Sequence, residues 1–295
     1  MTRVQTAALA VVYVATAVVF AVLEPVLQAS RPPPAVALTS ILFGHVLITT
    51  LACVVPALLW FAGSLAEERQ RSERLLLNVL PRPIAARLKR QAGVIADEVA
   101  ACTVVFADIV GFTSHSTQIT AQQLVAQLNR VFSEFDRLVE AHGLEKIKTI
   151  GDGYMAVAGL PPAVGNHAAA ACGFALDMRA AMSRMAAEDG LDLHLRIGLH
   201  TGPVVAGIIG HHRFAYDLWG DTVNIASRME SHGMPDCIQV TAPVVEQANP
   251  AFVFEPVGRI DVKGKGLMQA WLLTGRRVQR VERLQQPEAP GWRPA

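Results

Sequence analysis

Residues 106–113, FADIVGFT, close an apolar run and place Asp108 directly before a glycine-containing turn. The run from Ala101 to Val110 is rich in Val, Ile and Phe, which is typical of a buried β-strand. The turn that follows, Gly111-Phe112-Thr113, offers backbone N–H groups that can face a phosphate. This stretch therefore predicts a carboxylate at the end of a strand, beside an anion-binding turn.

A second acidic residue lies in residues 147–155, IKTIGDGYM. Lys146 to Ile150 alternates polar and apolar residues, and Gly151-Asp152-Gly153 then leads into the apolar run from Tyr154 to Val157. This pattern predicts a β-hairpin with an Asp-Gly turn and with Asp152 at its tip. Either acid alone fits ordinary turn chemistry. Two such carboxylates together can hold two divalent cations.

The third motif is residues 216–229, YDLWGDTVNIASRM, in which Asn224 and Arg228 are four apart. On a helix these two residues share one face. Considered alone, they fit a solvated helix face, Lys148 fits an exposed strand face and Lys263 fits a hairpin loop. The occurrence of all the motifs together, in this order, points instead to one site.

These separated motifs resemble the class III nucleotidyl cyclases in order and spacing, over roughly residues 95–274. The resemblance implies an enzyme with an α+β fold, the ferredoxin-like catalytic domain of that family. It also implies that two Mg²⁺ or Mn²⁺ ions assist the ribose 3′-hydroxyl in attacking the α-phosphate of a nucleoside triphosphate, which releases pyrophosphate and a 3′,5′-cyclic monophosphate. The residues that match the metal ligands of the family are Asp108, Ile109 and Asp152.

Lys148 and Asp217 match the pair that reads the base in adenylate cyclases, whereas guanylate cyclases typically carry Glu and Cys there. A Lys donor can serve the ring acceptor of adenine, and an Asp carboxylate can accept from the exocyclic amine. Guanine presents the reverse pattern on that edge. The resemblance therefore predicts an adenylate cyclase that makes cyclic AMP from ATP. A guanylate cyclase and a catalytically silent nucleotide-binding receptor module are the alternatives.

The same resemblance assigns the remaining polar residues. Asn224 matches the residue that orients the ribose, and Arg228 matches the one that neutralises charge on the reacting phosphate. Lys263, in residues 262–266, VKGKG, matches a triphosphate clamp. An Arg fork and a Lys point charge suit these roles, because both stabilise the charge that develops as pyrophosphate leaves.

The elements around the motifs follow the order strand, helix, hairpin, helix, strand, motif segment and final hairpin, which predicts an α+β layer with helices on one sheet face. The helices are predicted over Thr120–His142, which opens with a Thr120–Gln123 capping box, and over Asn166–Glu188. The family implies a homodimer with two shared sites. One chain would give the metal acids, and its partner would give the residues for base, ribose and phosphate.

The N-terminal part differs in composition, because residues 4–23 and 32–66 contain no Asp, Glu, Lys or Arg. These runs predict membrane-spanning helices within Thr2–Leu23 and Ala35–Leu65, with a cleaved signal peptide as the alternative for the first. Positive charge follows the second span, which predicts that the catalytic domain faces the cytoplasm.

The predicted organisation is a two-helix anchor in the cell membrane (1–63), a coupling helix and linker (64–94), the cyclase domain (95–275) and a flexible tail (276–295) that can touch anionic lipid. A net charge of +1 gives no electrostatic footprint for nucleic-acid binding. The four cysteines are dispersed without CxxC spacing, which argues against disulfides and a zinc site.

Overall fold

The computed structural model describes residues 14, 16–19, 21–26, 29, 36–77, 80–90, 95–117, 119–161, 165–210, 214–248 and 250–277. The chain divides into two compact units, residues 1–85 and residues 86–295.

The N-terminal unit contains the long helix α1, Val36–Leu77. The Phe43–Leu77 part of this helix is long and apolar enough to cross a membrane. Its most apolar stretch of 18 residues is not buried within the protein. At about 1.5 Å per residue, α1 is longer than the roughly 30 Å hydrocarbon core of a bilayer requires. The charged C-terminal part that begins at Glu67 therefore continues the candidate span without a break.

The prediction of two membrane spans is not confirmed. The described residues contain one helix that is long and apolar enough for a span. The described residues between 14 and 26 are helical, but much of the predicted first span, Thr2–Leu23, lies outside the described residues. Most of the predicted tail, from residue 278 onward, also lies outside them.

The C-terminal unit is built on a mixed sheet that has eight strands within the described residues. Its order is β2-β3-β1-β4-β6-β8-β7, and β5 pairs with the C-terminal part of β4. Neighbouring strands are antiparallel except for β4 and β6, which are parallel. The strands are β1 Ile95–Val110, β2 Glu145–Ile150, β3 Gly153–Ala158, β4 His194–Ile209, β5 Ala215–Trp219, β6 Ile238–Thr241, β7 Phe252–Val262 and β8 Gly266–Arg276.

Six helices complete the described part of the chain after α1, and they confirm the predicted α+β class. Helices α4 and α5 cover one face of the sheet, where Phe135, Phe174 and Met178 are fully buried among strand residues such as Val105 and Leu199. The helices are α2 Arg82–Arg90, α3 Phe112–Ser116, α4 Ala121–His142, α5 His167–Asp189, α6 Asp221–Ser231 and α7 Ala242–Ala248.

The ends of α4 and α5 follow from local sequence. The Thr120 hydroxyl accepts from the backbone N–H of Gln123, and the Gln123 side chain accepts from the backbone N–H of Thr120, which confirms the predicted capping box. Gly143 ends α4 at a φ of 67°, in the left-handed region that favours glycine. Asn166 caps α5 through the backbone N–H of Ala169.

The prediction that the helices share one sheet face is wrong, because α6 packs on the opposite face. Ala226 of α6 is buried there with Val104, Met155 and Val157. The close approach depends on Gly198 of β4, where an added Cβ would lie 2.0 Å from the backbone N of Glu230. In a strand whose residues otherwise alternate in polarity, this glycine therefore indicates the close approach of a second helix layer.

Candidate active site

Asp108 and Asp152 lie close enough to influence each other, as the motifs predict. Asp108 is near the end of β1, and β3 runs beside it after the β2–β3 turn. A Cβ added at Gly153 would lie 3.8 Å from the Asp108 Oδ1 atom, so this hairpin packs against Asp108. Burial raises the pKa of the Asp108 carboxyl, and the negative charge of Asp152 raises it further.

The tip of this hairpin differs from the predicted Asp-Gly turn. Ile150 pairs with Gly153, so the two turn residues are Gly151 and Asp152, with Gly151 at a φ of 64°. Asp152 still lies at the tip, as predicted. The turn is therefore Gly-Asp, one residue earlier than predicted. The sequence allows either turn, because a glycine lies on both sides of Asp152.

The donor set near Asp108 fits a cation that arrives with its nucleotide. Within the described residues, no group of three or more His, Cys, Asp and Glu side chains is placed to hold a metal ion. Two carboxylates and the backbone carbonyl of Ile109 are the predicted ligands. Mg²⁺ is commonly bound by one or two carboxylates together with substrate phosphates, while it keeps several waters. The residues present therefore fit Mg²⁺, and the ligand roles stay predictions.

Sequence reasoning missed two residues beside Asp108. Arg196 of β4 lies opposite Asp108 and donates from Nη2 to Asp108 Oδ2 at 3.1 Å. The Nε atom of the same guanidinium donates to Glu230 Oε1 at 2.6 Å. The sequence does indicate such a contact. Arg196 lies within the apolar run 193–199, LHLRIGL, and a charged side chain in a buried strand requires a partner of opposite charge.

The structure brings together Lys148 and Asp217, the predicted base-reading pair. Lys148 of β2 donates from Nζ to Asp217 Oδ2 of β5 at 2.5 Å. Asp217 Oδ1 also accepts from the backbone N–H of Leu218 at 2.9 Å. Both side chains are partly exposed, 39% for Lys148 and 21% for Asp217, so a ligand can reach them.

A β-bulge in β2 separates the two lysines that the sequence places on one strand face. The register of β2 against β3 shifts between Lys146 and Lys148. Lys146 consequently points to the face of α4, where it pairs with Asp136 at 2.7 Å and lies over the ring of Tyr154. The bulge explains why two lysines that are two residues apart point to different faces of the sheet.

Helix α6 presents Asn224 and Arg228 to solvent, while Ile225 and Met229 pack inward against the β7–β8 hairpin. This arrangement agrees with the predicted shared face. Lys263 is exposed at the tip of the hairpin. The neighbouring Lys265 pairs with Asp221, the first residue of α6, at 2.8 Å.

The predicted anion-binding turn, Gly111-Phe112-Thr113, opens the five-residue helix α3. Gly111 has a φ of 89°, and a Cβ there would lie 2.9 Å from the backbone O of Asp192. Glycine is therefore required at this position by both conformation and space. A phosphate-binding role for the turn stays a prediction.

Comparison with known proteins agrees with these motifs. Residues 94–275 match the family described as "Adenylate and Guanylate cyclase catalytic domain". The chain belongs to this family. Its cyclase domain thus contains β1 to β8 and all the candidate site residues described above.

Relatives of the cyclase domain include both specificities. The chain is 47% identical over 243 residues to a protein named adenylate cyclase from Mycobacterium bovis, covering 79% of this chain and 55% of that protein. It is 42% identical over 212 residues to the human guanylate cyclase soluble subunit beta-2, covering 71% of this chain and 34% of that subunit. The chain thus spans about half or less of the length of these curated relatives.

A solved structure gives the same fold. The guanylate cyclase domain of RhGC from Catenaria anguillulae, in complex with GTP, superposes with a TM-score of 0.59 at 38% identity, covering 61% of this chain and 100% of that chain. Because adenylate and guanylate cyclases share this domain, the fold does not select the base. Selectivity has to be argued from side chains.

Two of the predicted site residues, Asp108 and Asp217, lie opposite different ends of β4. We call the region of Asp108 and Asp152 the metal half, and the region of Lys148 and Asp217 the purine half. Asp108 lies opposite Arg196, near the start of β4, whereas Asp217 lies opposite Gly207, near its end. Lys148 reaches Asp217 from β2, a strand of the same hairpin that carries Asp152, so a single chain holds both predicted halves.

Proposed function

We propose that this protein is an adenylate cyclase that converts ATP to 3′,5′-cyclic AMP and pyrophosphate. The observation that carries the proposal is the Lys148–Asp217 pair, held at 2.5 Å with the second Asp217 oxygen on a backbone N–H. In this arrangement the ammonium can donate to a purine ring acceptor while the carboxylate accepts from an exocyclic amine. That combination matches adenine. The name of the relative at 47% identity supports the same base.

The residues of the site have separate tasks in this proposal. Asp108, Asp152 and the carbonyl of Ile109 would hold two Mg²⁺ or Mn²⁺ ions, and the chemistry that such ions would supply is polarisation of the α-phosphate and a lower pKa for the 3′-hydroxyl. Asn224 orients the ribose. Arg228 and Lys263, both exposed, bind phosphate oxygens and offset the negative charge that grows on the leaving pyrophosphate. The turn from Gly111 to Thr113 offers backbone N–H groups to the same phosphates.

We further propose that each active site is shared between two copies of the chain. The separation of Asp108 from Asp217 along β4 supports this arrangement. A two-fold axis places the metal half of one copy against the purine half of the other, and it generates two equivalent sites. A monomer then lacks a complete site and is inactive.

Base selectivity is tested by exchanging the pair. Lys148→Glu with Asp217→Cys should lower kcat/KM for ATP by about a hundredfold, since unpaired buried polar groups reject a mismatched base strongly. Lys146→Glu is the matched control, because Lys146 pairs with Asp136 on the opposite sheet face. Unchanged preference for ATP over GTP in the exchanged protein would overturn the assigned base contacts. A wild-type chain that prefers GTP would instead favour a guanylate cyclase, the second candidate that the 42% identical human subunit supports.

Complementation tests the shared sites. Full-length chains with Asp108→Ala and with Arg228→Ala should each be inactive alone and should regain activity when co-expressed. The heterodimer then contains one site with both defects and one site with none. Isolation through two different tags confirms the heterodimer. An inactive heterodimer would rule out the shared site.

We propose a membrane-anchored organisation, with a two-helix anchor over residues 1–63, a linker over 64–94, the cyclase domain over 95–275 and a tail over 276–295. The candidate span in α1 supports one of the two helices. The arginines that follow it support a cytoplasmic cyclase domain, on the side of the membrane where ATP is available. Full-length protein should remain in the membrane fraction after alkaline washing, whereas a chain lacking residues 1–63 should be released. Release of both chains would contradict the anchor.

A further inference from the structure

Arg196 lies between two carboxylates that come from different elements. Its Nε atom bonds Glu230 of α6 at 2.6 Å, and its Nη2 atom bonds Asp108 of β1 at 3.1 Å. An arginine can bind a single carboxylate through two parallel N–H groups. Here one of those groups is occupied by Glu230, so Asp108 receives from Arg196 only one hydrogen bond, the longer of the two.

Glu230 is rigidly placed. It is 8% exposed, and its backbone N lies against Gly198 of β4 so closely that no Cβ would fit between them. Burial raises the pKa of Glu230, and the charges of Asp108 and Asp152 raise it further, while Arg196 lowers it. A carboxylate in this setting requires a charged partner, because an unpaired buried charge is strongly unfavourable.

We propose that Glu230 is a positioning residue for the metal half, which holds Arg196 by its Nε atom and so keeps Asp108 available to a divalent cation. Without the Glu230 charge, the guanidinium turns fully onto Asp108 and competes with the cation for it. The proposal rests on the proposed function, since it assumes that Asp108 binds the metal. Asp108 is then better exposed to Mg²⁺ or Mn²⁺ when Glu230 is intact.

The main variant is Glu230→Gln, which keeps the shape of the side chain and removes its charge. We expect the Mn²⁺ concentration for half-maximal rate to rise roughly tenfold, because the charge-assisted bond that holds Arg196 becomes a weaker bond to a neutral amide oxygen. The rate at saturating Mn²⁺ should change little. Glu134→Gln is the matched control, since Glu134 also pairs with two arginines, Arg137 and Arg184, on the exposed surface of α4.

A second measurement is independent of turnover. The thermal midpoint of the full-length chain is measured against Mn²⁺ with 3′-deoxy-ATP, which lacks the attacking hydroxyl. The Glu230→Gln chain should require roughly tenfold more Mn²⁺ than the wild type for the same stabilisation. Equal Mn²⁺ dependence of the two chains would overturn the proposal.

The heterodimer of the Asp108→Ala and Arg228→Ala chains shows which active site the Glu230→Gln substitution affects. In its working site, the Arg228→Ala chain supplies Asp108, and the Asp108→Ala chain supplies Arg228. Glu230→Gln should raise the Mn²⁺ requirement when it is placed on the Arg228→Ala chain, where Arg196 faces the working metal half. On the Asp108→Ala chain it should have no effect, and retained activity there shows that the variant folds.

The other outcomes are distinct. Equal loss from both placements would mean that Glu230 only supports α6, and no loss from either would mean that it has no role at the metal half. Both results overturn the proposal. Absence of activity in the parent heterodimer would count against the proposed function itself, before Glu230 is changed.

Discussion

The metal half and the purine half hold charge in opposite ways. In the purine half, Lys148 and Asp217 neutralise each other at 2.5 Å. In the metal half, Asp108 and Asp152 repel each other, and the guanidinium that contacts Asp108 is shared with Glu230. The charges of the purine half are therefore paired within the chain, whereas the metal half has two carboxylates beside one shared guanidinium. Substitutions in the two halves should consequently differ in their effects on stability, on KM for ATP and on the Mn²⁺ requirement.

The largest effect is expected from Asp108→Asn. Loss of the ligand should lower kcat by at least about a thousandfold, because metal ions contribute several kcal/mol to such reactions. The thermal midpoint of the metal-free chain should nevertheless rise, since the charged form of Asp108 is disfavoured by burial and by Asp152. Differential scanning calorimetry without metal checks this, and a lower midpoint would contradict the repulsion.

Changes in the purine half should show the opposite pattern. Lys148→Met should raise KM for ATP by roughly fiftyfold, because Asp217 then lacks its charged partner and the base lacks a donor. The Mn²⁺ concentration for half-maximal rate should stay the same. Titrations of ATP and Mn²⁺ measure both quantities, and a large shift in the Mn²⁺ requirement would mean that the two halves are not separate.

His200, on β4 between the two halves, should make stability depend on pH. Burial lowers its pKa from 6.5 to about 4, and its Nδ1 atom lies 2.7 Å from Thr241 Oγ1. Below about pH 6.5 the unfolded chain gains a proton that the folded chain does not accept. Stability is therefore lost as the pH falls from about 6.5 towards about 4.

His200→Asn should remove this dependence. Between about pH 7.5 and pH 5, the free energy of unfolding of the wild type should fall by about 2 kcal/mol more than that of the variant. Urea midpoints at the two pH values measure the difference. Parallel losses in both proteins would show that His200 is not the source. His194→Asn is a suitable control, because two carboxylates raise the pKa of that exposed histidine instead.

The smallest effect is expected where both halves of an ion pair are exposed. Lys265 and Asp221 join the β7–β8 hairpin to the start of α6, and so connect the elements that carry Lys263 and Asn224. Lys265→Met should raise KM for ATP about two- to fivefold, since exposed pairs contribute about 0.2–1 kcal/mol. The exchange Lys265→Asp with Asp221→Lys should restore most of the affinity. A KM that stays raised in the exchanged protein would exclude a simple tether.

Local sequence predicted the parts of the cyclase domain that depend on neighbouring residues. The capping box of Thr120 is one example, and the strand that ends beyond Asp108 is another. The bulge between Lys146 and Lys148 was not predictable, because register is set by the partner strand. The Arg196–Glu230 pair was missed for a similar reason, since it joins β4 to a helix whose position depends on the space left by Gly198. The roles of the predicted site residues stay predictions.

Product formation by the purified full-length chain with Mn²⁺ tests the central claim most directly. ATP and GTP are offered separately, and the Asp108→Ala chain serves as the blank. The account predicts cyclic AMP from ATP, little cyclic GMP from GTP, and neither product from the blank. Cyclic GMP as the main product, or no product from a folded dimer, would contradict it.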